Sequence, residues 1–122
     1  MVILFIEDEA IIRHATAMIL RKEGCQVMEA ENGSQALDLL SKRDFDLVIT
    51  DVSLPDQSGI VLADRIRARW PRMPIIVVSG YTSDEATKFL AQGVATEFVH
   101  KPFGAMDLMA AVRRLLPSKT SE

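Results

Sequence analysis

Four places along this 122-residue chain carry side chains suited to handling a charged group, and each one ends or follows a short β-branched run. They are Glu7-Asp8-Glu9, Asp51, Ser79 and Lys101. Carboxylates brought to one spot favour a hard divalent cation, and Mg2+ takes one or two of them together with waters and a phosphate oxygen. Two unit charges about 4 Å apart repel by ~4 kcal/mol at an effective dielectric near 20, so a gathering of acids requires a cation. Lys101 has the long, flexible cationic side chain that can reach such a cluster from a strand some way off.

Taken singly, each residue has an ordinary structural role. Acidic residues ahead of a helix complement its dipole and cap it. An aspartate at a strand end makes an Asx-turn. Ser79 alone reads as a turn hydroxyl, and a lysine before proline as a solvated charge. Their joint position, at the ends of successive strands, is what separates them from scattered surface residues.

The elements that position them alternate. Short β-branched runs cover Val2–Ile6, Gln26–Ala30, Asp46–Thr50, Ile75–Ser79 and Glu97–His100. Ile75-Ile76-Val77-Val78 lacks alternation, as expected of a strand covered on both faces. Ile11, Ile12, Ala15, Met18 and Ile19 form an apolar stripe at helical spacing. Ala36, Leu37 and Leu40 mark a second helical stretch, and Leu62, Ala63 and Ile66 a third. Thr82-Ser83-Asp84-Glu85 has capping-box form and opens a fourth. Leu108, Met109, Val112, Leu115 and Leu116 give the fifth, ending at Pro117. Ala30-Glu31-Asn32-Gly33 reads as a turn into a helix.

Five strand–helix units imply an α/β fold, a doubly wound parallel sheet with right-handed crossovers. Ligands in such sheets bind beyond the carboxyl ends of the strands, at the switch point in strand order. In the order 2-1-3-4-5, strands one and three are neighbours, which brings Asp8 and Asp51 together.

Composition sets the outer bounds. Net charge is −3, with 48% hydrophobic and 25% charged residues, normal for one soluble domain. Arg65, Arg67, Arg69 and Arg72 read as the wet face of a helix, and without a basic run direct nucleic-acid binding is disfavoured. The apolar run Val2–Ile6 is too short for a signal peptide or membrane insertion, so the expectation is a cytoplasmic protein. Cys25 is the single cysteine and reads as a small packed side chain. Residues 1–117 are expected to form the domain and 118–122 a polar tail.

The segments Ile3-Leu4-Phe5-Ile6-Glu7-Asp8-Glu9, Val48-Ile49-Thr50-Asp51-Val52-Ser53-Leu54-Pro55 with Gly59, Val77-Val78-Ser79-Gly80 and Phe98-Val99-His100-Lys101-Pro102-Phe103 together resemble the receiver domains of two-component response regulators. The resemblance covers Val2 to about Leu116 and implies a five-stranded, flavodoxin-like (βα)5 fold. It implies that Asp51 accepts a phosphoryl group, since a carboxylate can attack phosphorus and form an acyl phosphate. It makes Asp8 a direct ligand of Mg2+ (or Mn2+), Glu7 an acid acting mainly through water, and the Ser53 carbonyl a further ligand. Ser79 becomes the hydroxyl that binds the phosphoryl group, Lys101 its ammonium partner, and Phe98 the switch aromatic. A cis Lys101-Pro102 bond is also implied.

The same resemblance implies a histidine kinase or histidine phosphotransfer protein as donor, and a downstream protein or fused domain as recipient of the signal. It includes a homodimer as a form taken on phosphorylation, and no enzymatic activity beyond the domain's own phosphorylation and dephosphorylation. His14 and His100 are read as structural. Signalling is expected to move Ser79 towards the phosphoryl group and Phe98 inward, remodelling the face of the fourth helical stretch, fifth strand and fifth helical stretch. Three departures stand out. Glu7 replaces the commoner aspartate, Phe98 lacks a tyrosine hydroxyl, and bulky Tyr81 is placed to shield the phosphoryl group from water.

Three rivals fit less well. A haloacid-dehalogenase-type phosphatase wants a second acid two residues after the nucleophile, where Ser53 stands. A flavin-binding module wants a hydroxyl-rich loop where Glu7-Asp8-Glu9 would repel phosphate. An unphosphorylated interaction module has no need for the full set Asp8, Asp51, Ser79 and Lys101. The sequence leaves open a stand-alone regulator, a phosphorelay intermediate and a segment of a hybrid kinase or larger regulator.

Overall fold

The computed structural model describes residues 1–79, 93, 97–100 and 104–115. Its strands are β1 (Val2–Ile6), β2 (Gln26–Ala30), β3 (Leu47–Asp51), β4 (Ile75–Ser79) and β5 (Glu97–His100). Its described helices are α1 (Ala10–Lys22), α2 (Gly33–Lys42), α3 (Gly59–Arg69) and α4 (Ala105–Leu115), the last being the fifth helical stretch of the sequence. The strands form one parallel sheet in the order β2-β1-β3-β4-β5. The expected doubly wound topology is therefore present.

Side-chain alternation splits the core in two. Leu4, Ile6, Val48 and Val77 point to one face, where they pack with Ala36 and Leu40 of α2 and Leu62, Ala63 and Ile66 of α3. Ile3, Phe5, Ile49, Ile76 and Val78 point to the other, against Ala17 and Leu20 of α1 and Leu108 and Val112 of α4. Every residue of β3 and β4 is buried, as the unalternated run in β4 predicts. Each fully buried Leu or Ile contributes about 1.5–3 kcal/mol of transfer free energy.

Local chemistry fixes the helix ends. Asn32 caps α2, its side chain accepting from the Gln35 N–H at 2.8 Å, and Ser58 caps α3 by accepting from the Ile60 N–H at 3.1 Å. The Asp56 carboxylate reaches across from the β3–α3 loop and accepts from the Gly33 and Ser34 N–H groups at 2.9 and 3.0 Å. Those bonds, the Gly33 one first, hold its pKa below the ordinary value despite an opposing desolvation effect. Gly24 ends α1 at φ +98°, a conformation that costs a residue with a Cβ.

Two expectations need correction. β3 runs one residue later than the predicted Asp46–Thr50: the Asp46 N–H still donates to the Val2 carbonyl at 2.8 Å, but the return bond from the Val2 N–H goes to the Asp46 carboxylate at 2.7 Å rather than to a strand carbonyl. More consequentially, α1 is turned from its expected face. The stripe Ile11, Ile12, Ala15, Met18 and Ile19 lies outward, with Ile11 85% and Met18 66% exposed. The buried side is Arg13, Thr16, Ala17 and Leu20. The buried side follows a second helical spacing, and on it Arg13 finds polar partners beneath the helix in Glu29 and the Glu7 carbonyl.

Arg65, Arg69 and Arg72 are exposed as expected, whereas Arg67 is half-buried and donates to the Pro71 and Met73 carbonyls. Cys25 is buried, and burial raises its thiol pKa, in keeping with a packing role. No described helix is long and apolar enough to cross a membrane. The stretch opening at Thr82, the Lys101-Pro102 bond and the tail lie outside the described residues.

Candidate functional site

The site is built from the carboxyl ends of β1, β3 and β4. Parallel pairing sets Ile6 opposite Thr50, so Glu7 and Asp51 leave adjacent strands side by side. The Glu7 N–H donates to the Ala30 carbonyl of β2 at 3.0 Å, extending the ladder by one residue. Its Oε2 accepts from the Glu9 N–H at 3.1 Å. Glu9 itself stands at the N-cap of α1, but its side chain makes no capping hydrogen bond, and α1 has no acid in its first turn. Helix capping therefore does not account for this acidic run.

Asp51 closes β3 and is 7% exposed. Its Oδ1 accepts from the Ser53 N–H at 3.3 Å, so the Asx-turn geometry and the site role occupy the same residue. The buried Thr50 hydroxyl donates to the Asp51 carbonyl at 3.0 Å. The loop then folds back tightly. Ser53 and Ser58 form an isolated antiparallel bridge, and the Gly59 N–H donates to the Val52 carbonyl at 2.6 Å. A Cβ at Gly59 would overlap the Asp51 carbonyl and lie 2.9 Å from Val52 Cα, so only glycine permits this return.

The outcome is a pocket of three acids. One carboxylate oxygen from each of Glu7, Asp8 and Asp51 lies within 4.8 Å of the other two, with Glu7 and Asp51 buried and Asp8 exposed. Three oxygen donors at this spacing suit a hard cation, and Asp8 opens the site to solvent. Ser79 ends β4, 2% exposed, opposite His100 and one residue past Val78, which faces Asp51. Among the described residues the buried polar or charged side chains are Glu7, Arg13, Thr16, Thr50, Asp51 and Ser79. Four of these stand at strand ends, so the fold concentrates its costly polar burial at this rim.

The structure thus brings together Glu7, Asp8 and Asp51, and sets Ser79 at the end of the next strand. Ser53 is exposed in the loop beside them. Phe98 lies farther back in β5, opposite Val77 and partly buried against the α2–α3 core. Lys101 and Tyr81 lie outside the described residues.

Sequence reading passed over Arg13, Glu29 and Asp56. Arg13 donates from Nη1 to the Glu7 carbonyl at 2.9 Å and from Nε to Glu29 Oε1 at 3.2 Å. Glu29 also receives His14 Nδ1 at 2.6 Å and Arg21 Nη1 at 3.2 Å. Burial works to raise the Glu29 pKa, but hydrogen bonds and attraction from His14 and Arg21 prevail, leaving it below the ordinary carboxylate value. The signal for Arg13 was its helical spacing with Ala17 and Leu20.

The chain matches the response regulator receiver domain family over residues 3–113, and it belongs to that family. It is 32% identical over 120 residues to sporulation initiation phosphotransferase F of Bacillus subtilis, covering 98% of this chain and 96% of that protein. It is 36% identical over 102 residues to a cyclic di-GMP phosphodiesterase of Thermotoga maritima, covering 84% of this chain but 27% of that protein. Other curated relatives are spanned to 48% of their length. Among solved structures it is similar to response regulator protein TrrA of Thermotoga maritima in complex with Mg2+-BeF. The TM-score is 0.85 at 34% identity, over 94% of this chain and 98% of that one.

The chain is therefore a phosphoacceptor domain of two-component signalling, and its family works with kinases and downstream output domains. The acidic pocket together with the Mg2+-BeF complex of a similar protein supports Mg2+ binding in general.

Proposed function

We propose that Asp51 is the phosphoacceptor and that Glu7, Asp8, Asp51 and the Ser53 carbonyl hold Mg2+ beside it, Glu7 acting mainly through water. The observation that carries this reading is the convergence of three carboxylates within 4.8 Å at the ends of adjacent strands. Mg2+ bound there supplies positive charge to the phosphoryl oxygens. The Asp51 carboxylate attacks phosphorus of a phosphohistidine. The P–N bond of the donor breaks, its electron pair stays on the imidazole, and an aspartyl phosphate forms. Ser79 donates its hydroxyl to the new dianion and Lys101 pairs with it. In-line attack by water later releases inorganic phosphate and restores the carboxylate.

The donor is a histidine kinase or histidine phosphotransfer protein. Its approach is favoured by the outward apolar face of α1, which starts at Ala10, two residues beyond Asp8. The response is a shift of Ser79 and Phe98 that remodels the surface around β5 and α4, read by a downstream protein, a fused domain or a second copy. Tyr81 shields the phosphoryl group, so Tyr81→Ala should speed hydrolysis.

The test is incubation with acetyl phosphate with and without Mg2+, followed by intact mass. The wild-type chain should gain one phosphoryl group only with Mg2+, and Asp51→Asn should gain none. Equal uptake by Asp51→Asn would overturn the assignment. Beryllofluoride with Mg2+ should shift the nuclear magnetic resonances of Phe98, and a silent Phe98 would remove it from the switch.

A further inference from the structure

We infer that Arg13 is a positioning residue for the acidic pocket: braced by Glu29, its guanidinium fixes the peptide joining Glu7 to Asp8 and so aims both carboxylates at the cation. This rests on the metal reading above and goes beyond it to a residue that touches neither metal nor phosphorus.

Arg13 sits where an aliphatic residue would suit the helix, on the buried side of α1 with Ala17 and Leu20. It is only 8% exposed. Burying a guanidinium is costly unless every face is used. Here Nη1 donates to the Glu7 carbonyl at 2.9 Å, a bond that is itself buried. Nε donates to Glu29 on β2 at 3.2 Å. Glu29 is in turn held by His14 and Arg21, so the brace does not swing freely.

The carbonyl that Arg13 holds belongs to the peptide whose N–H is that of Asp8. The preceding peptide is held as well, because the Glu7 N–H donates to the Ala30 carbonyl at 3.0 Å. With both flanking peptides fixed, the Cα–Cβ direction of Glu7 is set. Rotation of the second peptide would carry Asp8 with it. A planar fork can serve a carbonyl and a carboxylate at once, whereas an ammonium on a flexible stem holds both less firmly.

Charge alone predicts the opposite sign. A cation near the pocket repels Mg2+, so deleting it should tighten binding. Positioning predicts that deletion weakens binding. Arg13→Lys separates the two, because it keeps the charge and loses the fork.

The experiment is Mg2+ titration of the full chain by calorimetry and by 1H–15N resonance shifts. Wild type is compared with Arg13→Met and Arg13→Lys, and melting temperature without Mg2+ is recorded for each. Arg13→Met should weaken the Mg2+ Kd about tenfold, equivalent to about 1.4 kcal/mol. Arg13→Lys should weaken it about threefold, a partial rescue, and in both variants the Asp8 amide resonance should move before any Mg2+ is added. A lowered melting temperature with Mg2+ Kd within twofold of wild type, or tighter, would overturn the inference and leave Arg13 a helix anchor. Should Arg13→Met not fold, Arg13→Lys decides by the same criterion. If the wild-type chain itself binds no Mg2+, the metal reading falls, and this inference falls with it.

Discussion

Two clusters of charge lie on neighbouring strands and are built on opposite plans. Around Glu29 of β2, one carboxylate meets Arg13, His14 and Arg21 at 3.2, 2.6 and 3.2 Å. At the ends of β1 and β3, three carboxylates converge within 4.8 Å. The first cluster joins opposite charges within the chain and gains from folding as it stands. The second brings like charges together, each close pair costing up to ~4 kcal/mol at an effective dielectric near 20. A fold that tolerates the second cluster does so for what the acids can bind. Arg13 touches both, through Glu29 on one side and the Glu7 carbonyl on the other.

The largest effects should come from the like-charged cluster. Asp51→Asn should abolish phosphoryl uptake from acetyl phosphate while raising Mg2+-free stability by about 1 kcal/mol, because one repelling charge is gone. Chemical denaturation of both forms in metal-free buffer checks the second half. A destabilised Asp51→Asn would mean that the acids do not repel as their spacing implies. In the wild type, Mg2+ at a hundred times its Kd should add about 2.7 kcal/mol by linkage. Asp51→Asn should gain much less at the same concentration.

The oppositely charged cluster should behave as a stabiliser. Glu29→Gln should cost about 1.5–3 kcal/mol, the range for hydrogen bonds to a charged group. The pH dependence has a definite sign. The folded-state pKa of Glu29 lies below its ordinary value of 4.5. Its contribution is therefore complete above that value and is lost as pH falls through the folded pKa. The stability gap between wild type and Glu29→Gln, measured by urea titration from about pH 5 downwards, should close as the carboxylate takes up its proton. A gap that widened over that range would contradict the pairing. Asp56, whose carboxylate is bound chiefly by helix N–H groups, should show a smaller version, with Asp56→Ala costing about 1 kcal/mol.

Much of this was legible in the sequence. Glu7, Asp8, Asp51 and Ser79 stand at strand ends, the alternation of runs implies a doubly wound sheet, and the resemblance implies the order 2-1-3-4-5, so their meeting needed no knowledge of side-chain packing. What escaped was the charge network of Arg13, Glu29, His14 and Arg21. Its members lie on a helix and a strand that pack against each other, and no local spacing announces a pairing between β2 and α1. The same blindness reversed α1. Ile11, Ile12, Ala15, Met18 and Ile19 make the more hydrophobic stripe, and periodicity finds a stripe without knowing what lies beneath it. The β3 boundary slipped because Asp46 holds the β1 backbone through its side chain, which hydrophobicity does not report.

The smallest predicted effect tests that reversal most directly. If the Glu29 cluster sets the rotation of α1, then Ala17 and Leu20 carry the helix and the outer stripe carries nothing for stability. Leu20 is 0% exposed, and Leu20→Ala should cost about 2–5 kcal/mol through lost contacts and a residual cavity. Met18 is 66% exposed, and Met18→Gln should shift unfolding by no more than about 0.5 kcal/mol. Uptake of phosphoryl from acetyl phosphate should be unchanged in Met18→Gln, because Met18 lies about two turns along α1 from its start beside the acidic pocket. If the proposed docking of the donor on this face holds, transfer from a histidine-phosphorylated protein should slow. A large loss of stability in Met18→Gln would turn α1 back to the orientation its hydrophobicity suggests, and would break the link between Arg13 and the pocket at the same stroke.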